Sequence, residues 1–532
     1  MAVPYTCTTC DEDSTPPPLT QYLNISKSLV NFPGNDMALS SSAASFLQSV
    51  LNAEAELIPS QKKNYGISSL KLQIKGALSP IGRLPTEIFI EIFRCDFTID
   101  AFDSSKVPWT LAQVCSTWRE IITVHCPDLW SSITVNSYAY RRKDPVSLLK
   151  TVLNRSGQSD LHIDFWEIGI EKKIAKQMLD LLFNVSNRWS NIAFDLQPSS
   201  LSSLSVVRGR VDRLSKLSLS YHGHGQPPSC IDAFEITPLL SDVNISVGRD
   251  DDVVTIVPCG SESLQLYHYD RAYGDVDLHR ALLDTILKSP NLSTLQASYR
   301  NRTTVTRPFS TRINSTSIRF LQAFERDLLD SLSLPALDTV WLGPDKLCHT
   351  LCPEDTLPSL LRLITASHCS LTRLVLAEID ISHGLIAILR HAPMLDSLEL
   401  YFAWWSNSLD RAMQLFVTAM MESNAAPATS PGTPFRPAIL PCLTCFKIEI
   451  RDVSRFGMVL FINDMFVRML SIRRTMTADK DNKLLQTVTV SLFRGSVLRM
   501  ALDSDFQALR DGGLNLTVSL SESSPGMTPT PY

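Results

Sequence analysis

Apolar positions recur along this chain with two different periods, and the changeover falls near residue 140. Upstream the spacing is helical. After Ser41 and Ser42, either of which can cap a helix, Phe46, Val50, Leu51, Leu57 and Ile58 fall near one face until Pro59 interrupts. Ile67, Leu70, Ile74 and Leu78 continue to Ser79-Pro80, which predicts a helical pair over residues 41–79. Pro59, Gly66 and Gly76 cut the run too short for a dimerising coiled coil. Leu84 then precedes Pro85 and is held extended, while Pro85 suits a first helical turn and Glu87 favours the helix dipole. Ile88, Phe89, Ile92 and Phe93 form one apolar stripe, and Leu111, Val114, Cys115, Trp118 and Ile122 repeat it after a polar loop over 100–108. Two short helices with stripes this rich cannot satisfy each other, so part of that surface must face another element or another protein.

Beyond residue 140 the pattern becomes apolar, two variable, apolar, one variable, apolar. It appears at Trp189/Ile192/Phe194, Leu214/Leu217/Leu219, Leu240/Val243/Ile245, Leu337/Val340/Leu342, Leu371/Leu374/Leu376, Leu395/Leu398/Leu400, Leu443/Phe446/Ile448 and Leu485/Val488/Val490. Weaker copies lie at Ser263–Leu266 and Leu292–Leu295. The alternating end of each unit suits a strand with one buried face, and the first apolar residue anchors the turn into it. Helical stretches such as Leu360–Ile364 and Leu385–His391 lie between units. The repeat resembles an irregular leucine-rich repeat, which implies a solenoid over 140–520 with parallel strands inside and helices outside. The expected fold class is therefore α+β overall, a small all-α module over 80–135 followed by an irregular α/β repeat domain. Residues 1–40, with Pro16-Pro17-Pro18, and 521–532 have the composition of disordered segments.

Bulk properties remove several functions. The 532 residues are 44% hydrophobic and 19% charged, with a net charge of −5 and a pI near 6.1. Nothing there invites nucleic acid or an anionic membrane. No apolar run approaches the roughly 20 residues of a membrane span, and the N-terminus lacks signal-peptide regions, so the expected location is cytoplasm or nucleus. The twelve cysteines then read as reduced thiols. Cys7/Cys10, Cys442/Cys445 and Cys348-His349-x-x-Cys352 each lack a second ligand pair, so no metal or other cofactor is expected. Phosphate-loop, dinucleotide, nucleophile-elbow and zincin motifs are absent; His222/His224 and Asp250–Asp252 read as loop and solvated surface.

The order Leu84-Pro85-Thr86-Glu87-Ile88, then Leu111-x-x-Val114-Cys115-x-x-Trp118-Arg119, then Pro127-Asp128-Leu129-Trp130, resembles an F-box. That family docks substrate receptors onto the Skp adaptor of a cullin-RING ubiquitin ligase. The resemblance covers about a tenth of the chain and implies adaptor contacts at Leu84, Pro85, Ile88, Ile92, Leu111, Val114, Cys115 and Trp118. It implies a non-catalytic SCF subunit that recruits a protein substrate. The alternatives are an F-box scaffold or regulator outside the ligase, and a repeat-based interaction module without adaptor binding.

Strand alternation predicts a substrate-facing strip of Lys216, Ser218, Gln265, Tyr267, Thr294, Gln296, Trp341, Arg373, Val375, Glu399, Tyr401, Lys447 and Glu449, with Tyr267, Trp341 and Tyr401 as the best anchors. In the cluster Tyr401, Phe402, Trp404 and Trp405, Tyr401 is the expected exposed member. The acid-free segment Arg300–Arg319, with Arg302 and Arg307, reads either as a site for an acidic or phosphorylated segment or as a solvated loop.

Overall fold

From Ile133 onward the period-two segments become the strands of one sheet in a mixed α/β architecture. The computed structural model describes residues 41–55, 81, 84–95, 100–136, 144–221, 228–247, 257, 261–274, 276–301, 312–343, 355–379, 383–423, 437–452, 459–475, 483–493 and 503–521. The chain divides into two compact units. One comprises Met1–Ser132 with Thr151–Gly157, and the other Ile133–Lys150 with Gln158–Tyr532.

The strands are β1 (Ser132–Val135), β2 (Leu161–Trp166), β3 (Trp189–Leu196), β4 (Lys216–Tyr221), β5 (Asp242–Val247), β6 (Leu266–Gly274), β7 (Thr294–Asn301), β8 (Ile313–Asn314), β9 (Phe320–Ala323), β10 (Leu332–Ser333), β11 (Thr339–Leu342), β12 (Arg373–Ala377), β13 (Ser397–Phe402), β14 (Cys445–Ile450), β15 (Thr487–Phe493) and β16 (Asn515–Ser521). Fourteen of them form one sheet in chain order, while β8 and β10 pair separately. Every pairing recorded between β2 and β16 is parallel. The order never reverses, so the sheet lacks the switch-point crevice where doubly wound folds bind ligands. Parallel crossovers are right-handed in nearly all cases, so sequential order carries the connections to one face.

Burial agrees with that reading. One register row runs Ile163, Ile192, Leu217, Val243, Tyr267, Leu295, Leu321, Val340, Leu374, Leu398, Phe446, Val488, Leu516, every member buried. The adjacent row on the opposite face is mostly polar: Asp164, Ala193, Ser218, Asn244, His268, Gln296, Gln322, Trp341, Val375, Glu399, Lys447, Thr489, Thr517.

The residue after each anchoring leucine explains how one unit registers on the next. The main-chain oxygen of Ser215 accepts the N–H groups of Ser241 and Asp242, and that of Ser241 accepts those of Gln265 and Leu266. The rung repeats through Gln265, Ser293, Arg319, Asp338, Thr372, Asp396 and Thr444. Where that residue is Ser or Thr, its hydroxyl donates to the same carbonyl, as in Ser215 to Ser190 (2.9 Å), Ser241 to Ser215 (3.0 Å) and Thr372 to Asp338 (3.1 Å). A small hydroxyl therefore satisfies itself at a turn where a longer polar group would need water.

Connecting helices bury one stripe each. Lys172–Asn184 buries Ala175, Met178, Leu179, Leu182 and Phe183, and Asn407–Met420 begins at Ser406, whose hydroxyl accepts the Leu409 N–H. Asp410 is buried and accepts the N–H groups of Leu460 (2.7 Å) and Phe461 (3.1 Å). Arg473 is buried without a carboxylate partner and donates to the carbonyls of Met420 (3.1 Å), Leu440 (2.7 Å) and Ile439 (2.6 Å). Its burial pulls the guanidinium pKa down to about 10.

In the first unit, helix α1 spans Ser41–Ala55 and buries Leu47, while Phe46, Val50 and Leu51 stay half-buried. The second member of the pair expected over 41–79, and the disorder expected over 1–40 and 521–532, lie outside the described residues, except that Ser521 ends β16.

Candidate functional site

The Leu84–Trp130 stretch builds a surface from three short helices. Pro85 is the residue ahead of α2 (Thr86–Arg94), and its carbonyl accepts the Ile88 and Phe89 N–H groups, so it precedes the first turn. The stripe on α2 splits. Phe89 and Phe93 are buried against the Trp118 ring, at centroid distances of 5.6 and 4.9 Å, whereas Ile88 and Ile92 are 45% and 46% exposed.

The run Leu111–Ile122 is not one helix, which corrects the uniform helical period expected there. Helix α3 (Trp109–Ala112) ends, Cys115 is extended, and α4 (Ser116–Glu120) starts with the Cys115 sulfur accepting the Trp118 N–H at 3.4 Å. The break turns Val114 outward to 58% exposure. Cys115 is a capping acceptor here, a role helical periodicity cannot signal.

Beneath this surface, the Pro127–Trp130 turn is an anchor. Trp130 is fully buried, donates its indole N–H to the Ile122 carbonyl (2.9 Å) and meets Trp109 edge-on at 5.0 Å. The Arg155 guanidinium lies 4.5 Å from the Trp130 ring and 4.7 Å from the Trp109 ring. Arg94 spans to Asp128 through two bonds of 2.9 and 3.2 Å. Both side chains are 43% exposed, so that pair contributes less than about 1 kcal/mol. Burial raises the Cys126 thiol to about 11, which keeps it inert.

Of the eight residues expected to contact an adaptor, none is buried. Pro85, Ile88, Ile92, Val114 and Cys115 are exposed, and Leu84, Leu111 and Trp118 are half-buried.

The second surface is the polar sheet face. Lys216, Ser218, Thr294, Gln296, Trp341, Arg373, Val375, Glu399, Tyr401, Lys447 and Glu449 all lie on it, as the alternation predicts. Tyr267 does not. It is 3% exposed and registers with Val243 and Leu295 in the apolar row, so it is withdrawn as a surface anchor, and Gln265 precedes β6. The anchor is Leu264, one residue after the Ser263 assumed from sequence, and a one-residue slip exchanges the faces. The slip also hid His268, which occupies the polar row.

Tyr401 is also nearly buried, at 6%, and the exposed member of its cluster is Trp404 at 44%. Tyr401 sits under a stacked Trp341 ring (5.9 Å, 9°), with Val375 and Ala377 completing a small apolar island on the polar face. Gly343 lets β11 approach closely: a Cβ there would lie 2.5 Å from the Ala377 carbonyl oxygen, at φ +142°.

Charges ring the island. Arg373 donates to Glu399 (2.6 and 2.9 Å), and the Tyr401 hydroxyl donates to the other Glu399 oxygen (2.6 Å). Lys447 donates to the Tyr401 oxygen at 2.9 Å and stands 4.8 Å from its ring. Arg451 donates to Glu449 at 3.3 Å. Burial, with the Glu399 carboxylate, raises the Tyr401 phenol above its ordinary value, so it stays a donor. Burial lifts the Glu378 carboxyl to about 7, partly offset by the Ala403 N–H it accepts.

This face is also under-satisfied. Of ten buried side-chain nitrogen or oxygen atoms without a hydrogen-bond partner among the described residues, six belong to it: Asn244, His268, Ser298, Gln322, Trp341 and Arg451. That concentration separates it from the core face, where burial is apolar.

Arg302 and Arg307, His222 and His224, Asp250–Asp252, and the Cys7/Cys10 and Cys348/Cys352 pairs lie outside the described residues. Cys442 is buried in the turn before β14, and Cys445 opens that strand. Among the described residues no three His, Cys, Asp or Glu side chains group as metal ligands, and no helix is long and apolar enough to cross a membrane. Comparison of the sequence with protein-family models and with curated proteins finds no match to either.

Proposed function

We propose that the chain is a non-catalytic substrate receptor of an SCF-type ubiquitin ligase, binding the Skp adaptor through an F-box at Leu84–Trp130 and a protein substrate through a leucine-rich-repeat-like sheet. The observation that carries this reading is the divided stripe. A Phe89–Phe93–Trp118 core holds Ile88, Ile92 and Val114 in solvent, at positions where the F-box resemblance implies adaptor contacts. Isolated aliphatic exposure is ordinary, but three such residues beside Leu84, Pro85 and Cys115 match the apolar core of a protein interface. The ligase chemistry then resides in partner subunits, and this chain contributes proximity.

The test is co-expression with a Skp-type adaptor. The wild type co-purifies with it, and Ile88→Asp/Ile92→Asp does not, while keeping wild-type circular dichroism. Adaptor capture by the double variant at wild-type yield refutes the reading. Recovery of cullin with the wild type, and adaptor-dependent loss of a captured partner, separate a ligase receptor from a scaffold outside the ligase.

A further inference from the structure

The island around Trp341 and Tyr401 has the anatomy of an interface anchor: planar apolar groups at the centre and charges around them. Its charges are layered. Glu399 and Glu449 side chains are 10% and 4% exposed and already accept hydrogen bonds, whereas Lys447 and Arg451 remain 30% and 20% exposed. An approaching partner therefore meets cations over buried, neutralised carboxylates. Arg451 keeps one guanidinium nitrogen without an acceptor, and the Trp341 indole N–H is also unpartnered. Gln322, 3% exposed and adjacent to Trp341 in the same row, holds an unpartnered amide nitrogen on this face. Cations placed outward of their carboxylates call for a partner that brings anionic oxygen atoms.

We propose that Trp341, Tyr401, Lys447 and Arg451 form the docking point for an extended, acidic peptide segment of a partner protein. The inference deepens the receptor reading by giving the substrate segment a chemistry. An apolar or planar side chain packs on the half-buried Trp341 ring, and a carboxylate or phosphate meets Lys447 and Arg451. Register sets the spacing. Trp341, Val375, Glu399 and Lys447 are successive partners, so three inter-strand steps of about 4.8 Å separate anchor from cation, about 14 Å. At about 3.4 Å per residue an extended chain covers this in about four residues. A nucleic acid fits less well: three half-buried cations, Arg373, Lys447 and Arg451, in a chain of net charge −5 do not track a polyanion.

The experiment uses the full chain and an array of 12-residue peptides. Each carries a central Trp, Phe or Leu followed, one to six residues later, by Asp, phosphoserine or Asn. Binding should favour the acidic members, with a maximum near a spacing of four; Asp against phosphoserine distinguishes the two sources of the anion. Lys447→Gln and Arg451→Gln should each weaken the best peptide by at least about tenfold. Lys216→Glu, on the same face but at β4, should leave it unchanged. Equal binding of Asn and acidic peptides, no binding by any peptide, wild-type binding by both Gln variants, or full displacement by single-stranded RNA overturns the proposal. Adaptor co-purification by Lys447→Gln reports separately: peptide failure with adaptor capture intact removes only this inference, and loss of adaptor capture by the wild type removes the receptor reading alone.

Discussion

Adjacent residues on one helix, Ile92 and Phe93, should respond to truncation in opposite ways. Phe93 is 2% exposed, with its ring 4.9 Å from Trp118 and 5.8 Å from Phe89. Phe93→Ala removes a buried ring and both aromatic contacts, and substitutions of this kind cost about 3–5 kcal/mol. Ile92 is 46% exposed, and Ile92→Ala should change stability by no more than about 0.5 kcal/mol. Because the chain contains two units, a global melt would blend their transitions. Amide hydrogen exchange across Thr86–Arg94 reads the local stability instead. Since each 1.4 kcal/mol is about tenfold, Phe93→Ala should accelerate exchange there at least about a hundredfold, or to the unprotected rate. Ile92→Ala should leave exchange within a factor of about three. Similar acceleration by both variants, or a larger effect at Ile92, would refute the division of the stripe into a packed half and a presented half.

Four further perturbations probe the sheet. Folding raises the Glu378 carboxyl from 4.5 to about 7, so the folded state holds a proton that the unfolded state has released across that interval. Stability should fall as pH rises from about 5 to 8, by up to about 3 kcal/mol, and Glu378→Gln should flatten the dependence in denaturant titrations at the two pH values. Arg473→Met leaves three carbonyls without their donor and should cost at least about 3 kcal/mol; wild-type amide exchange across Asp464–Thr475 would contradict the bonding described. Gly343→Ala places a Cβ against the Ala377 carbonyl at positive φ and should cost about 1–3 kcal/mol, visible as faster exchange in β11 and β12. Gln322→Met removes an unpartnered buried amide and should leave stability equal or raise it by about 1 kcal/mol, so a loss above that in denaturant unfolding would show that the amide is satisfied.

The strands were readable wherever a leucine anchor stands three residues before an alternating pair, as at Leu214, Leu371 and Leu443. Where the anchor is less regular the reading failed for a physical reason. At β6 the residues Leu264, Leu266, Tyr267 and Tyr269 offer apolar groups to both faces, so periodicity alone allows two registers. The ladder there starts from a main-chain bond, the Gln265 N–H to the Ser241 carbonyl, and because the residue after the anchor is Gln rather than the Ser or Thr of other units it leaves no mark in the sequence. At β9 the anchor Ile318 gives no clear pattern, because Leu321 is followed by polar Gln322 and small Ala323. Around Cys115 the sequence carries a helical period that the backbone breaks, since a sulfur acting as a cap has no signature among apolar positions. Charge pairing was invisible for another reason. Arg373 and Glu399 are 26 residues apart and meet only because β12 and β13 are neighbours.

The two faces of the sheet answer to different demands, and that difference separates packing from recognition. In the apolar row each side chain is satisfied by burial, and an isosteric hydrophobic replacement costs little. In the polar row Asn244, His268, Gln322 and Trp341 hold buried donors or acceptors that nothing in the fold satisfies, each a cost of about 1–3 kcal/mol beside an apolar isostere. Folding alone would favour Leu or Met at those positions, since β5, β6, β9 and β11 already have a complete core on their other side. Two neighbouring pairs of such groups, Asn244–His268 and Gln322–Trp341, with Gln296 between them, are therefore a poor solution for stability. On the docking proposal, a second polypeptide reaches the half-buried Trp341 ring and the outward Lys447 and Arg451 rather than these enclosed atoms, so their cost is tested by stability and not by binding.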